Sequence, residues 1–339
     1  MKQYRVAILG ATGAVGQEMM KVLEEQNFPV SELKLLASSR SAGKTLYFQG
    51  KPITIEEATE ENFDNIDIVL GAAENDIAKR FLHAAAKKGA VVIDNSSAYR
   101  LDPNVPLVVP EVNPQDAFAH HGIIANPNCA TIIALVALAP LHRLYHAQRM
   151  IVSTYQAVSG AGVGGIRELN TQMKEMANNE KISEPKVFQH PIVCNLIPQI
   201  GGFDEMGYSS EEMKMQNEGR KILHHDQLRV NCTCVRVPIL RSHSESITVT
   251  FDKEIDLEEI RNAYKQAPGV LLVDDPQHSI YPMPADTSDQ DLVYVGRIRE
   301  DISDPTRHSL TFWCCGDQVR KGAATNAVQI AQLLISKDQ

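Results

Sequence analysis

Short apolar runs alternate with amphipathic runs over the first 125 residues, and this alternation limits the possible folds more than any other feature of the chain. The strand-like runs are residues 5–10, 32–37, 66–71, 91–94 and 122–125, and the helix-like runs are residues 15–26 and 77–88. Strands that alternate with helices in this way form a parallel sheet with helices on both faces. We therefore predict an α/β fold whose N-terminal part is a Rossmann-like, doubly wound parallel sheet.

The second half of the chain has a different pattern. Residues 246–251 alternate between apolar and polar side chains, which is typical of a strand with one buried face in an antiparallel sheet. Further predicted strands are residues 149–157, 231–237, 292–299 and 309–314, and predicted helices are residues 168–177, 211–223 and 257–265. We predict an α+β domain with a mixed, largely antiparallel sheet over residues 128–321. Residues 1–127 form the first domain, and a helix over residues 322–339 is expected to pack back on it.

Composition narrows the class of protein. The formal net charge of -9 argues against nucleic acid as the main partner. Six cysteines in 339 residues, without a dense framework, indicate reduced thiols and a cytoplasmic protein. The chain starts without a signal-like segment, and the apolar run at residues 130–141 is too short to span a membrane. We expect a small-molecule substrate and no membrane or nucleic-acid partner.

A glycine-rich turn joins the first predicted strand to the first predicted helix. Residues 10–16 read G-A-T-G-A-V-G, a variant of the dinucleotide fingerprint. Such glycines let the backbone approach a pyrophosphate, which the helix N-terminus then stabilises. We predict that the cofactor contacts in this turn come from Gly10, Thr12, Gly13, Ala14 and Val15. The alternative is a tight turn that binds no ligand.

The residues after the second predicted strand indicate which dinucleotide is bound. An NAD site usually has an acidic residue there for the ribose 2′-hydroxyl, whereas this chain has Ser38, Arg40 and Ser41. Arginine and serine side chains suit a 2′-phosphate, so we predict NADP as the cofactor. An ordinary solvated arginine remains the alternative.

A cysteine begins the predicted helix that follows the strand at residues 122–125. Cys129 comes after Asn126-Pro127-Asn128 and immediately before the apolar run. Free backbone N–H groups at a helix N-terminus favour a thiolate, which is a nucleophile able to form a covalent acyl intermediate. A buried structural cysteine is the alternative reading of this residue.

A second chemically suggestive segment is residues 230–244. A predicted strand carries Arg236, and a turn then leads to His243. Histidine suits proton transfer near neutral pH, and arginine offers a planar fork for a carboxylate. A histidine considered alone is more often structural. The spacings of Cys232 with Cys234 and of Cys314 with Cys315 do not fit a zinc site, so we predict no metal.

Three segments together resemble the aspartate-β-semialdehyde dehydrogenase family. They are the glycine turn at residues 10–16, Asn128-Cys129 followed by Gln156, and the spacing of Asn231, Cys234, Arg236 and Ser242-His243-Ser244. The resemblance covers essentially the whole chain in order. It implies that Cys129 is the nucleophile, His243 the acid/base and Gln156 a residue that orients the substrate.

The resemblance also implies binding residues. Arg236 would hold the substrate α-carboxylate and Glu211 its α-amino group, while Lys214, Arg100 and Asn128 would contact phosphate. Ser159 and Gly160 resemble the loop beside the nicotinamide, and Gln318 resembles a further cofactor contact. The alternatives are a surface ion pair for Glu211 and Lys214, a solvated Arg100, backbone satisfaction by Gln156 and a flexible loop at residues 159–165.

The activity that this resemblance implies is the reversible, NADPH-dependent reductive dephosphorylation of L-4-aspartyl phosphate to L-aspartate 4-semialdehyde, in lysine, threonine and methionine synthesis. A reductase acting on N-acetylglutamyl phosphate and a non-catalytic NADP-binding sensor are the alternatives. Because the one-face-apolar strands of the second half offer a face for a second subunit, we expect a homodimer, with a homotetramer as the other possibility.

Overall fold

The computed structural model describes residues 2–336 and divides into two compact units. The first unit contains residues up to 128 together with those from 322 onward, and the second contains residues 129–321. No helix within residues 2–336 is both long enough and apolar enough to cross a bilayer.

The first unit is built on a six-stranded sheet in the order β5-β2-β1-β6-β7-β8, and each of its strand pairings is parallel. This sheet confirms the predicted Rossmann-like fold. A separate hairpin, β3–β4, and the two-residue strand β5 at the edge of the sheet were not predicted. The strands of the unit are β1 (Tyr4–Leu9), β2 (Val30–Ala37), β3 (Thr45–Phe48), β4 (Lys51–Thr54), β5 (Glu56–Glu57), β6 (Ile68–Gly71), β7 (Val91–Asp94) and β8 (Ile123–Ala125).

Two helices of the first unit, α1 (Ala14–Glu25) and α2 (Asn75–Lys87), lie where the sequence predicts helices. The last helix of the chain, α8 (Thr325–Ser336), packs against α1 and shares its apolar core. It begins later than predicted because Arg320–Ala324 form a π-helical turn. Residues 337–339 of the predicted helix lie outside the described residues.

The second unit contains the predicted mixed sheet, in the order β10-β9-β11-β14-β13-β12. The β10–β9 and β12–β13 pairs are parallel and the other three pairs are antiparallel. Its strands are β9 (Ala147–Gln156), β10 (Arg229–Arg236), β11 (His243–Phe251), β12 (Val270–Leu272), β13 (Val293–Glu300) and β14 (Ser309–Gly316). Its helices are α3 (Cys129–Tyr145), α4 (Gly162–Ala177), α5 (Ser210–Leu223), α6 (Leu257–Gln266) and α7 (Pro284–Thr287).

Helix α3 is the central helix of the second unit. Residues 130–141 of this helix are almost all apolar and are buried on every side, as expected of a helix enclosed by its neighbours, whereas His142 and Arg143 in its last turn are not buried. It packs against β9, β11, β13 and β14 as well as α5 and α6. The apolar run at residues 130–141 therefore lies in a buried helix, as predicted. Cys129 is the first residue of that helix.

The segment between β9 and α4 is regular. Val158–Ala161 form a 3-10 turn, and α4 follows directly from Gly162. Packing of Val158 with Leu169, Ile192 and Ile197 fixes the turn. Residues 159–165 therefore form a 3-10 turn and the start of a helix rather than an irregular loop.

Candidate active site

Three buried polar side chains lie side by side on three neighbouring strands of the second unit. Arg236 at the end of β10 is directly opposite Gln156 at the end of β9. Ser244 of β11 is opposite Tyr155, so that His243 is the neighbour of Gln156 on the other side. Directly opposed residues point to the same face of a sheet. Strand register thus brings together an arginine, a glutamine and a histidine that are far apart in the chain.

Cys129 lies against this row. Its Sγ is 3.5 Å from Nε2 of His243, and the side chain is partly exposed. As the first residue of α3, it lies at the helix end where unpaired N–H groups and the dipole favour negative charge. By contrast, burial raises the pKa of the Cys314 thiol far above its ordinary value and that of Cys315 to about 12, which makes both poor nucleophiles.

The Arg236 guanidinium is held in place with donors to spare. Its Nη1 donates to the carbonyl oxygen of Ala157 at 2.6 Å, and the group lies over the Phe188 ring at 5.8 Å. Its Nε and Nη2 make no hydrogen bond within the described residues. Burial lowers the pKa of Arg236, while the nearby Glu211 and Cys129 oppose that effect. The group stays positively charged, and its remaining N–H groups suit a carboxylate.

Gln156 connects the strand row to helix α5. Its Nε2 donates to Oε1 of Glu211 at 3.1 Å, whereas its own Oε1 is buried without a hydrogen-bond partner. The other carboxylate oxygen of Glu211 pairs with Lys214 Nζ at 2.8 Å. Because Glu211 is only 8% exposed, this is not the solvated surface pair that the sequence allowed as an alternative. An unsatisfied buried acceptor such as Gln156 Oε1 is unusual and suits a ligand donor.

A capping box fixes the start of α5, the helix that carries Glu211. Ser209 caps the helix by accepting a hydrogen bond from the Glu212 backbone N–H at 3.3 Å, and the Glu212 carboxylate accepts one from the Ser209 N–H at 2.6 Å. This reciprocal capping box fixes the first turn of a helix. Glu212 also accepts a hydrogen bond from the Cys234 backbone N–H at 2.9 Å, which ties α5 to β10.

The turn that carries Ser159 and Gly160 closes over the row. A Cβ atom on Gly160 would lie 2.9 Å from Arg236 Nη1 and 3.4 Å from His243 Cε1, so an alanine at this position would displace the Arg236 guanidinium. Gln318 donates through Nε2 to Ser159 Oγ and accepts a hydrogen bond from the Ser242 backbone N–H at 2.8 Å. Gln318 therefore ties the turn to the residue before His243.

The glycine turn of the first unit has the features of a dinucleotide site. Helix α1 starts at Ala14 with Gly13 as its N-cap, without a capping side chain and without an acid in its first turn. A Cβ on Gly16 would lie 2.4 Å from the carbonyl oxygen of Gly10, so the helix packs on the turn more closely than a side chain allows. Both observations fit a bound pyrophosphate. Thr12 lies in this glycine turn, and Val15 lies in the first turn of α1.

The phosphate-binding candidates of the first unit have contrasting surroundings. Ser38 and Arg40 are exposed just beyond β2, and Ser41 is half-buried. Arg100 is only 7% exposed and donates through Nη2 to the Asn95 carbonyl oxygen at 2.9 Å, so it is not a solvated arginine. Asn128, the last residue of the unit before α3, is 6% exposed.

Comparison with known proteins identifies the family. A model of the semialdehyde dehydrogenase NAD binding domain matches residues 5–120, and one of the semialdehyde dehydrogenase dimerisation domain matches residues 138–321. The aspartate-semialdehyde dehydrogenase of Aquifex aeolicus is 51% identical over 338 residues, which is 98% of each chain. The chain belongs to the aspartate-semialdehyde dehydrogenase family.

Solved aspartate-semialdehyde dehydrogenases have the same fold. The crystal structure of aspartate semialdehyde dehydrogenase II complexed with ASA from Vibrio cholerae matches with a TM-score of 0.96 at 44% identity, over 99% of each chain. The enzyme with NADP from Candida albicans matches with a TM-score of 0.77 at 25% identity, also over 99% of each chain. The resemblance found in the sequence is thus confirmed.

The sequence analysis did not identify Glu245, a buried acidic residue on the strand that carries His243. Glu245 lies two residues after His243 on β11 and is fully buried, and neither carboxylate oxygen has a hydrogen-bond partner. Thr154, its neighbour across the β9–β11 pair, also has a buried hydroxyl without a partner. The alternation of β11 between its two faces extends back to His243 and places Glu245 on the buried face. Extending the predicted strand from residue 246 to residue 243 would have identified Glu245 as a buried acid.

Metal ligation has no visible basis in the part of the chain that the structure describes. Among residues 2–336 no group of three or more His, Cys, Asp or Glu side chains is arranged to hold an ion. Cys232 and Cys234 lie on one face of β10 with their Sγ atoms 3.6 Å apart. This is the alternate spacing expected of two cysteines in a strand.

Proposed function

We propose that the chain catalyses the reversible, NADPH-dependent reductive dephosphorylation of L-4-aspartyl phosphate to L-aspartate 4-semialdehyde and phosphate. The observation that carries this proposal is the position of Cys129. Its sulfur lies at a helix N-terminus, 3.5 Å from His243 Nε2. An accessible thiol in such surroundings, in a member of this family, supports covalent catalysis through a thioester.

The neighbouring side chains suit the three functional groups of the substrate. We assign the α-carboxylate to Arg236 and the α-amino group to Glu211. Gln156, with its open Oε1, would orient the substrate next to Cys129. Lys214 is assigned to phosphate, and Arg100 and Asn128 are given the same role on the basis of the resemblance alone.

The residues would act in sequence. The Cys129 thiolate attacks the acyl carbon and displaces phosphate, which leaves a thioester on the enzyme. When bound, the nicotinamide cofactor supplies the hydride that reduces this thioester. His243 faces the sulfur and is assigned to the oxygen of the resulting hemithioacetal, which collapses to release the aldehyde and restore Cys129. The covalent step divides one difficult reduction into two easier reactions.

We infer NADP as the cofactor. Ser38, Arg40 and Ser41 follow β2 without the acidic residue that an NAD site usually has there. Ser159, Gly160 and Gln318 are proposed to contact the nicotinamide half. The Candida albicans relative, a structure with NADP, supports this choice.

Glu211 favours a substrate with a free amino group over the alternative, N-acetylglutamyl phosphate. A carboxylate that is 8% exposed gains from pairing with an ammonium group, whereas an acetylated amine leaves it without that partner. A non-catalytic NADP-binding sensor would need the glycine turn but no nucleophile. The product would then enter lysine, threonine and methionine synthesis.

One assay tests the activity. Phosphate-dependent NADP⁺ reduction is measured with aspartate semialdehyde, and the rates are compared with those for glyceraldehyde 3-phosphate and N-acetylglutamate semialdehyde. We expect turnover with the first compound and much slower turnover with the others. Preference for N-acetylglutamate semialdehyde would overturn the substrate assignment, and no turnover with any of them would favour the sensor.

A variant tests the covalent role. Cys129→Ser should abolish turnover while leaving the circular dichroism spectrum and the melting temperature close to those of the wild type, because the side chain is partly exposed. Cys194→Ser, at an exposed cysteine on the second unit, is the matched control and should keep full activity. Wild-type rates in the Cys129 variant would rule out the thioester.

We further propose a homodimer in the cytoplasm. The dimerisation-domain model that matches residues 138–321 supports self-association, and β9 leaves Ile151 40% exposed on the sheet. Sedimentation velocity would distinguish a dimer from a tetramer or a monomer. All six cysteines are free, which suits a reducing compartment.

A further inference from the structure

Three asparagine side chains form a hydrogen-bonded chain at the carboxyl edge of the parallel sheet in the first unit. Asn95 directly follows β7, and Asn126 directly follows β8. The register of these two strands places Asp94 opposite Ala125, so Asn95 and Asn126 are neighbours. Asn126 Nδ2 donates a hydrogen bond to Asn95 Oδ1 at 2.7 Å. Ligands of open parallel sheets bind at this edge.

The third asparagine, Asn326, lies near the start of α8. Its Nδ2 donates to Asn126 Oδ1 at 2.7 Å and to the carbonyl oxygen of Val108 at 3.0 Å. Asn126 Nδ2 also donates to the carbonyl oxygen of Ala323 at 3.2 Å. Because a carbonyl oxygen can only accept, these contacts fix which end of each amide is the nitrogen. The hydrogen bonds therefore run in one direction, from Asn326 through Asn126 to Asn95.

The chain ends on the residue that holds Arg100. The main-chain carbonyl oxygen of Asn95 accepts a hydrogen bond from Arg100 Nη2 at 2.9 Å, and the Asn95 backbone N–H donates to the carbonyl oxygen of Gly71 at 2.9 Å. The side chain of Asn95 is held by Asn126. The orientation of the Arg100 guanidinium thus depends on a carbonyl group that the asparagine chain keeps in place.

Stability alone does not explain a polar chain at this position. Apolar residues of α8, such as Val328 and Ala331, already pack into the core of the first unit. Asn126 and Asn326 are 0% exposed, and a buried amide is tolerated only when its hydrogen bonds are made. A satisfied buried network permits one arrangement, whereas apolar contacts tolerate several. The amides therefore add a defined geometry to packing that is already present.

We propose that Asn126 and Asn326 are positioning residues of the phosphate site. They hold the Asn95 carbonyl, and through it the guanidinium of Arg100. This inference rests on the proposed function, which assigns phosphate to Arg100. A guanidinium binds phosphate best through two parallel hydrogen bonds, so a displaced carbonyl at Asn95 would weaken phosphate binding by misaligning the fork.

Kinetics in the phosphate-dependent direction test the proposal. We expect Asn126→Ala to raise the KM for inorganic phosphate at least about tenfold, which is the worth of one hydrogen bond to a charged group. The KM for aspartate semialdehyde should change less than about threefold, because its proposed binding residues lie on the second unit. An unchanged KM for phosphate, or an equal rise in both constants, would overturn the inference.

A second variant and a control separate positioning from general destabilisation. Asn326→Ala removes the donor to Asn126 and should raise the KM for phosphate in the same direction, which keeps the inference testable if Asn126→Ala does not fold. Asn113 is a buried asparagine of the same unit, 1% exposed, with hydrogen bonds at 2.9 Å to the Leu107 carbonyl oxygen and from the Val109 N–H. Asn113→Ala should lower the melting temperature without changing the KM for phosphate. A similar rise in the control would contradict the positioning role.

A double-mutant cycle tests whether Asn126 acts through Arg100. Arg100→Ala should itself raise the KM for phosphate. When Arg100 is already absent, adding Asn126→Ala should raise this KM by less than about threefold, because residues that act through one another are not additive. A further rise as large as in the wild-type background would mean that Asn126 acts elsewhere, and would overturn the inference.

Phosphate binding without turnover separates this inference from the proposed function. Inorganic phosphate that binds the folded protein raises its melting temperature. We expect this rise in the wild type and a smaller rise in Asn126→Ala and Asn326→Ala. If the wild type shows this pattern but does not turn over aspartate semialdehyde, the proposed function fails and the inference stands. If the wild type turns over and both variants keep its KM for phosphate, the inference fails and the proposed function stands.

Discussion

The free energy of unfolding of the Glu245→Gln variant, relative to that of the wild type, should increase as the pH rises. Glu245 is fully buried, and its two carboxylate oxygens have no hydrogen-bond partner. Burial raises its pKa well above 4.5, and the nearby Cys234 and Glu211 add to the effect. The folded protein therefore holds a proton that the unfolded chain releases.

The size of the effect follows from linkage. Between the unfolded-state pKa and the higher folded-state pKa, the folded state binds one more proton, so the free energy of unfolding falls as the pH rises. One proton corresponds to about 1.4 kcal/mol per pH unit. Glutamine has no such proton, so the difference in stability, variant minus wild type, should grow as the pH rises above the unfolded-state pKa, by at most about 1.4 kcal/mol per pH unit.

Urea denaturation at pH 5.5, 6.5 and 7.5 measures this difference. The fluorescence of Trp313 is a suitable probe, because it is the one tryptophan of the chain and lies on β14, opposite Ser246 of β11. If burying the glutamine amide lowers the stability by a constant amount, that amount does not affect how the stability difference changes with pH. A difference that stays constant or shrinks as the pH rises would refute the reasoning.

Glu61→Gln is the matched control. Glu61 is fully exposed. Hydrogen bonds to its carboxylate from its own backbone N–H and from the Thr59 side chain lower its pKa below 4.5. Its titration therefore lies below the pH range of the experiment, and its stability contribution is lost only in more acidic solution. The difference between this variant and the wild type should not change from pH 5.5 to 7.5.

Three further substitutions test the geometry of the site. Gly160→Ala should lower kcat/KM by at least about tenfold, because the added Cβ would lie 2.9 Å from Arg236 Nη1, whereas Gly202→Ala, with open space around it, should not change the kinetics. Arg236→Leu should raise KM and lower kcat/KM, and unchanged steady-state constants would remove it from the carboxylate role. Ser209→Ala should cost about 1 kcal/mol in urea denaturation through loss of the α5 cap, and an unchanged midpoint would contradict the capping role.

The fold was largely predictable because most of its buried strands and helices correspond to continuous apolar runs or to helical periodicity in the sequence. The predicted parallel strands of the first unit are short apolar runs, and α1 and α2 show helical periodicity, whereas β5 is a pair of exposed glutamates that no apolar pattern marks. The β3–β4 hairpin was missed because much of it is exposed, including Tyr47 at 67%, so no apolar pattern marks it. The start of α8 was misplaced because a π-helical turn has no distinct sequence signature.

The chemistry of the site was less predictable than its residue types. Cysteine, histidine and arginine at characteristic spacings indicate acyl chemistry, but the donor–acceptor pattern of His243 depends on the main chain at Ala157, 86 residues away. The buried state of Glu211 likewise depends on packing between α5 and the sheet. Such features arise from contacts between distant segments, which periodicity and spacing do not encode.

The row formed by Arg236, Gln156 and His243 has a consequence for folding. Arg236 and Gln156 meet only through the parallel β10–β9 pair, whose strands are connected by the long crossover that includes α4 and α5. Non-local strand pairing of this kind is slow compared with helix formation. During refolding, the helical signal should therefore return before enzymatic activity, because activity requires the β10–β9 pair to have formed.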